Sequence, residues 1–192
     1  MRVEIPDDRP LVEIPLREGG AVILVPLAPD DRHYLVEGLA ELSIDSRFSR
    51  FGQGRHRLSD REWDYLSDVD QRRHVAWAAV IDGFGVGVGR YIVLDDDSAE
   101  VAVTVLDHYQ GRGVGSALFQ ALVAVARSDG IRQFRFEVVP SNARVREALR
   151  SLDAEVSESD GLIAGRLNLG DSLPVPQQAE LVEAMGQFRE MG

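Results

Sequence analysis

Residues 103–116, Val-Thr-Val-Leu-Asp-His-Tyr-Gln-Gly-Arg-Gly-Val-Gly-Ser, constrain the fold more than any other stretch. A β-branched strand enters a turn with three alternating glycines, Gly111, Gly113 and Gly115, and an alanine-rich helix follows at once. A helix opened in this way leaves several N–H groups unpaired in its first turn, where the helix dipole adds positive potential. Glycine lets the backbone approach a ligand without Cβ clashes. The turn therefore suits a diphosphate. Two other phosphate-binding signatures do not fit. A dinucleotide fingerprint spaces its glycines as Gly-x-Gly-x-x-Gly, usually in a first βαβ unit, and a P-loop ends in Gly-Lys-Ser/Thr. Here the glycines alternate, the motif lies mid-chain and no lysine follows. The plainer alternative is a strand–helix turn that happens to be glycine-rich; the strand context, Gln110 and Arg112 count against it.

The rest of the chain is ordinary for a soluble globular protein. Its 192 residues allow one domain with a sizeable core, and 44% of them are apolar. No run reaches transmembrane length and no basic segment precedes an apolar stretch at the N-terminus, so a cytoplasmic protein with no membrane contact is expected. Without cysteine there is no disulfide, thiolate metal site or cysteine nucleophile. His33, His56 and His74 lack the spacing of metal ligands, so no metal is expected. A net charge of −11 argues against general nucleic-acid binding and suits a cationic acceptor.

Residues 1–20 are polar, contain three prolines and read as an extended surface arm. Residues 21–27 read as a buried strand. Pro29, Asp30 and Asp31 then start a helix with Leu35, Leu39 and Leu42 at helical spacing. The stretch 45–58 mixes Arg47, Arg50, Arg55, His56 and Arg57 with Phe48 and Phe51; it reads as solvated charge or as a lining of the acceptor cleft. Ser59 and Glu62 form a capping-box pattern that predicts a short helix to about residue 69. Residues 75–81 read as a central strand, Asp82-Gly83 as a turn, and 84–94 as the returning strand. Its alternating glycines predict close packing under something bulky. Residues 99–106 feed the glycine motif. A helix over 116–128 presents Leu118, Leu122 and Val125 and ends at Gly130. A strand over 133–139, a helix from Ser141-Asn142 with Val145, Leu149 and Leu152 inward, and a last strand over 161–169 follow. Residues 170–177 look like a linker, and 178–191 like a helix with Leu181, Met185 and Phe188 on one face. That helix is expected to dock on the domain's own surface; a subunit contact, as in a homodimer, is the alternative. The expected organisation is thus an arm (1–20), one domain (21–170), and a linker with a helix (171–192).

The pattern Gln110-x-x-Gly113-x-Gly115 resembles the acetyl-CoA-binding motif of the GNAT N-acetyltransferases. The element order over roughly residues 20–170 is similar to the whole GNAT domain. This resemblance implies an α/β fold of the α+β kind: a mixed, mostly antiparallel central sheet with flanking helices, whose two middle strands (99–106 and 133–139) splay apart. It further implies that the backbone groups of Val103 and Val105 pair with the pantetheine amides, with an N–H near Val105 polarising the thioester carbonyl. Gln110, Gly111, Arg112, Gly113, Val114, Gly115 and Ser116 would hold the diphosphate. Arg112 also suits that role chemically, since a guanidinium matches phosphate oxygens bidentately. Asn142 would cap its helix, contact the pantetheine, or do both.

The run Ala99-Glu100-Val101-Ala102-Val103-Thr104-Val105 is similar to a group of bacterial protein lysine acetyltransferases, as is Ser46-Arg47-Phe48-Ser49-Arg50-Phe51. That likeness implies Glu100 as general base, because a lysine amine arrives protonated and must lose its proton before attack. The plain alternative for Glu100 is an exposed charge beside a turn. Many GNAT proteins carry a tyrosine, seven residues after the asparagine, that protonates the leaving thiolate. Here that position is Leu149, a departure shared with the lysine acetyltransferase group, and a following Gly-Phe pair is replaced by Asp153-Ala154. Solvent or Tyr109 would have to serve. His108 reads as a solvated loop residue. The implied activity is acetyl transfer from acetyl-CoA to a primary amine, first a protein lysine, by direct attack. A small-molecule amine is the alternative acceptor, and a non-catalytic acyl-CoA sensor the alternative from another class.

Overall fold

Turn chemistry and apolar alternation lay down the centre of the sheet. In the computed structural model, β3 (His74–Ile81) and β4 (Phe84–Val93) are joined by Asp82 and Gly83, both at positive φ (52° and 78°). This is the two-residue hairpin that an Asp-Gly pair favours. β3 is buried on both faces, as its uninterrupted apolar run requires. β5 (Ser98–Val105) adds to β4 antiparallel. One bulge interrupts the β3–β4 ladder, where Ala79 faces Gly87 and Val80 faces Gly85, leaving Val86 without an opposite residue. The structure describes residues 2–17, 19–51, 58–140, 142–159, 161–170 and 173–191, with the backbone alone at 49–51, 144 and 159. Arg55, His56, Arg57 and Ser141 lie outside the described residues.

The remaining strands are β1 (Val12–Pro15), β2 (Ala21–Pro26), β6 (Gln133–Val138), β7 (Glu155–Ser159) and β8 (Leu162–Asn168). All eight form one sheet in the order β1-β2-β3-β4-β5-β6-β8-β7, antiparallel except between β5 and β6. The helices are α1 (Arg32–Glu41), α2 (Ile44–Phe51), α3 (Asp60–Ser67), α4 (Val114–Ser128), α5 (Ala143–Ser151) and α6 (Gln178–Met191). α4 crosses the sheet over β3, β4 and β5 and buries most of its surface, while α1 and α3 cover the opposite face. The alternating glycines of β4 explain how α4 sits so close. A Cβ on Gly89 would lie 3.1 Å from Leu122 Cδ1 and 3.2 Å from Leu118 Cβ.

Three departures from the sequence reading have physical causes. The arm is not wholly on the surface: Val12 and Ile14 are buried, and β1 pairs with β2. Its alternation with Glu13 and Pro15 is a strand pattern, and proline is tolerated there because β1 is an edge strand. Residues 44–51 form α2, and β7 is a polar edge strand that no apolar run announced. α3 carries the expected capping box, with Ser59 N–H donating to Glu62 Oε2 at 2.8 Å, and stops at Ser67. Gly130 takes φ +85° just past α4, and the Ile131 N–H reaches back to Ala126 O at 2.8 Å. α6 docks on its own chain, burying Leu181, Ala184 and Met185, with Phe188 half-buried. The Arg189 guanidinium clamps Asp129 (2.8 and 2.6 Å), to which the buried Tyr91 hydroxyl also donates (2.7 Å).

Candidate active site

The one parallel pairing in the sheet is also the shortest. β5 and β6 face each other only at Ser98–Gln133, Ala99–Phe134 and Glu100–Arg135, and then part. Glu100 therefore stands at the vertex of a V. Leu106 N–H donates to Val86 O and Ser98 O accepts from Leu94 N–H, so even-numbered residues of this strand turn their backbone groups toward β4. Val101 N–H closes the ladder on Arg135 O, as the Glu100–Arg135 pairing requires, so the Val101 carbonyl and the groups of Val103 and Val105 face the gap, where no ladder partner follows among the described residues. Backbone polar groups in such a position call for a ligand or water. Side chains alternate the other way. Val101, Val103 and Val105 pack toward α4, so Glu100, Ala102 and Thr104 point to the opposite face.

At the far end of the same strand lies the glycine turn. Gly111 (φ +80°) and Gly113 (φ +96°) adopt the left-handed backbone that only glycine takes at low cost, and Gly113 is the N-cap of α4. No side chain caps this helix, and the first ladder bond runs from Ala117 N–H to Gly113 O at 3.0 Å. The amides of Val114, Gly115 and Ser116 thus lack ladder partners. Ser116 is exposed on the first turn, Val114 is buried beneath it, and Gly115 backs onto Val103 and Val105. The Arg112 guanidinium rests 5.5 Å over the Tyr109 ring. Gln110 Nε2 donates to Val105 O at 3.0 Å, so that carbonyl has a partner within the chain.

A polar network that sequence reasoning missed ties this turn to α2. Asp107, just after β5, accepts from Ser43 N–H (3.0 Å), Ser43 Oγ (2.7 Å) and Ser46 Oγ (2.8 Å), and Gln110 Nε2 also reaches Ser46 Oγ (3.2 Å). Burial works against ionisation of Asp107, yet the hydrogen bonds from Ser43 and Ser46 outweigh it and hold the carboxyl below its usual range. Ser43 caps α2 by accepting from Ser46 N–H at 3.1 Å. A serine three residues before another was the only local signal; its long-range partner, Asp107, was invisible.

The other expected residues are dispersed. Asn142 caps α5, its Oδ1 accepting from Val145 N–H at 3.2 Å. Leu149 is packed into the core, so no side chain from that position reaches the V. His108 is exposed, Trp63 and Trp77 are core residues, and the buried His74 sits against Arg90. Among the described residues no three His, Asp or Glu side chains converge as metal ligands would. On the face opposite α4 the structure adds a mostly apolar cavity of about 120 Å³, floored by Ala102 and Thr104 and roofed by Leu39, Trp63 and Leu66. Glu100 itself borders a separate polar hollow of about 550 Å³.

An opened parallel pair with an uncapped, glycine-entered helix at the end of the same strand suits an extended ligand that ends in a diphosphate. Residues 36–153 match the profile of the Acetyltransferase (GNAT) family, and the chain belongs to that family. It is 29% identical over 177 residues to Acetyltransferase Pat of Mycolicibacterium smegmatis, covering 90% of this chain and 53% of that protein. The chain thus spans about half the length of that relative. It is 31% identical over 137 residues to Acetyltransferase PA5475 of Pseudomonas aeruginosa, covering 69% of this chain and 74% of that protein. The GNAT domain of S. lividans PAT superposes with a TM-score of 0.76 at 31% identity, covering 86% of this chain and 99% of that one. No helix among the described residues is long and apolar enough to cross a membrane.

Proposed function

We propose that the protein transfers acetyl from acetyl-CoA to a primary amine, a protein lysine before a small amine, with Glu100 as general base. The observation that carries this reading is the vertex of the V at Glu100, on the same strand whose other end opens into the glycine turn. From Glu100 to Val105 the strand spans about 17 Å, comparable to an extended pantetheine arm. With the diphosphate on the amides of 114–116, the thioester falls beside the vertex. The diphosphate ligands are then Gly111, Arg112, Gly113, Val114, Gly115 and Ser116, with Arg112 swinging from Tyr109 to a phosphate oxygen. Gln110 holds the turn to β5 rather than touching the ligand. Val103 offers its carbonyl to the arm, and Val105 its N–H. We assign the N–H that polarises the thioester carbonyl to Val103, the first past the vertex that no ladder bond uses, since Val105 lies at the phosphate end.

In this mechanism the amine nitrogen attacks the thioester carbon, a C–N bond forms and the C–S bond breaks. The ammonium proton passes to Glu100, directly or through water. Glu100 is exposed on the face away from α4, which is the side from which an acceptor can arrive. Tyr109 stacks under Arg112 at the phosphate end, so the departing thiolate takes its proton from solvent. Turnover of a lysine peptide by wild type and Glu100→Gln tests the assignment. The expected result is a rate at least ~100-fold lower in the variant, the usual worth of a general base, with acetyl-CoA affinity unchanged. Equal rates would remove Glu100 from the mechanism. Tight CoA binding by wild type with no thiol release would make the protein a sensor.

A further inference from the structure

Beyond β5 the sheet continues into β6, β8 and β7, and its face on the Glu100 side forms the floor of the polar hollow. The register places Glu100 opposite Arg135, Arg135 opposite Arg166, and Arg166 opposite Glu155. Residues directly opposite one another share a face, so these four side chains form one row with charges minus, plus, plus, minus. In the next row Glu137, Ala164 and Ser157 stand opposite one another, and the two small side chains deepen the floor. The arginines differ in their engagement. Arg135 is held by Asp95 at 3.2 Å, whereas the exposed Arg166 side chain makes no hydrogen bond or ion pair with any described residue.

We propose that the acceptor carries a carboxylate close to its reactive amine, and that Arg166 binds this carboxylate while the amine faces Glu100. The inference rests on the reading of Glu100 as the base. Glu137 and Glu155 leave the hollow negative on balance, so an anion alone gains little there. A molecule that brings a cation to Glu100 and an anion to Arg166 matches both. The two Cα positions are two strand spacings apart, about 10 Å, which in an extended peptide is roughly three residues. The acceptor is therefore a lysine with Asp or Glu about three residues away. Free lysine, bearing its own carboxylate, is the small-molecule source of the same chemistry.

The test measures KM and kcat for three peptides that carry Glu, Gln or Lys three residues from a single acceptor lysine, with Nα-acetyl-lysine and its amide as small acceptors. Wild type, Arg166→Gln and Arg166→Glu are compared, each first shown to melt cooperatively. Wild type is expected to favour the Glu peptide over the Gln peptide by about fivefold in KM, the effect of one exposed ion pair, with kcat little changed. Arg166→Gln is expected to erase the difference, and Arg166→Glu to reverse it in favour of Lys. A preference confined to Nα-acetyl-lysine over its amide supports the small-molecule source. Equal KM values for all peptides and for the two small acceptors, or a preference that survives Arg166→Gln, overturn the inference while leaving acetyl transfer standing. Absence of turnover with every acceptor overturns both.

Discussion

Gly115 offers the cleanest separation between folding and ligand binding at a single residue. A Cβ there would meet Val105 Cγ2 at 3.7 Å and Val103 Cγ1 at 4.0 Å, ordinary contacts that the fold accepts. Its φ is not in the left-handed region, and it lies in the first turn of α4. Alanine would even favour the helix by about 0.5–1 kcal/mol. The account nevertheless needs a bare backbone at this point, for the diphosphate. Gly115→Ala is therefore expected to melt no lower than wild type while its acetyl-CoA Kd rises tenfold or more. Calorimetry of both properties checks this, and an unchanged Kd would mean that the ligand does not approach the turn. Gly113 cannot serve the same purpose, because at φ +96° any side chain strains the fold itself.

The α2 helix and the phosphate turn behave as one body through Asp107. Its carboxylate caps Ser43 and Ser46, and Ser46 in turn meets Gln110, which closes the last carbonyl of β5. Asp107→Ala removes the acceptor for three donors at once. The expected outcome is faster amide exchange at residues 44–48 together with weaker acetyl-CoA binding, and Asp107→Asn should restore part of both. Exchange read by mass spectrometry, with and without CoA, measures it; unaltered exchange would dissociate α2 from the turn. This connection also marks where sequence reading stops. The strand, glycine turn and α4 were legible because local chemistry fixes them: left-handed glycines, an uncapped first turn, a helix-ending Gly130. The capping box at Ser59 and the Asp82-Gly83 hairpin were legible for the same reason. α2 was not, since its cap depends on a carboxylate 64 residues away, and β1 was not, since Pro10 before it and Pro15 at its end masked an edge-strand alternation. The charged row was equally hidden, because register across four strands has no local signature.

For the molecule as a whole, the buried pair His74 and Arg90 contributes to the response to acid. His74 Nδ1 donates to Asp68 O at 3.0 Å and Nε2 accepts from Arg90 Nη1 at 3.3 Å, so the fold holds the neutral ring. Burial, with help from the Arg90 charge and against the pull of Asp68 and Asp70, lowers its pKa from 6.5 to about 4. Between those values the unfolded chain binds the extra proton and the fold does not. Stability is therefore full above pH 6.5, declines as pH falls, and has lost this contribution below about 4, a total of at most about 3 kcal/mol. Urea melts from pH 7 to 4 should show that decline, and a His74→Gln variant should lack it; identical slopes would remove His74 from the acid response. The central claim is the joint placement of a thioester at the Glu100 vertex and a diphosphate on the turn of α4. A crystal structure with bound acetyl-CoA tests it most directly. The account predicts diphosphate oxygens within hydrogen-bond distance of the amides of Val114, Gly115 and Ser116, the pantetheine lying along Val101–Val105, and the sulfur beside Glu100. Acetyl-CoA bound elsewhere, or a closed V with the turn amides facing solvent, would contradict it.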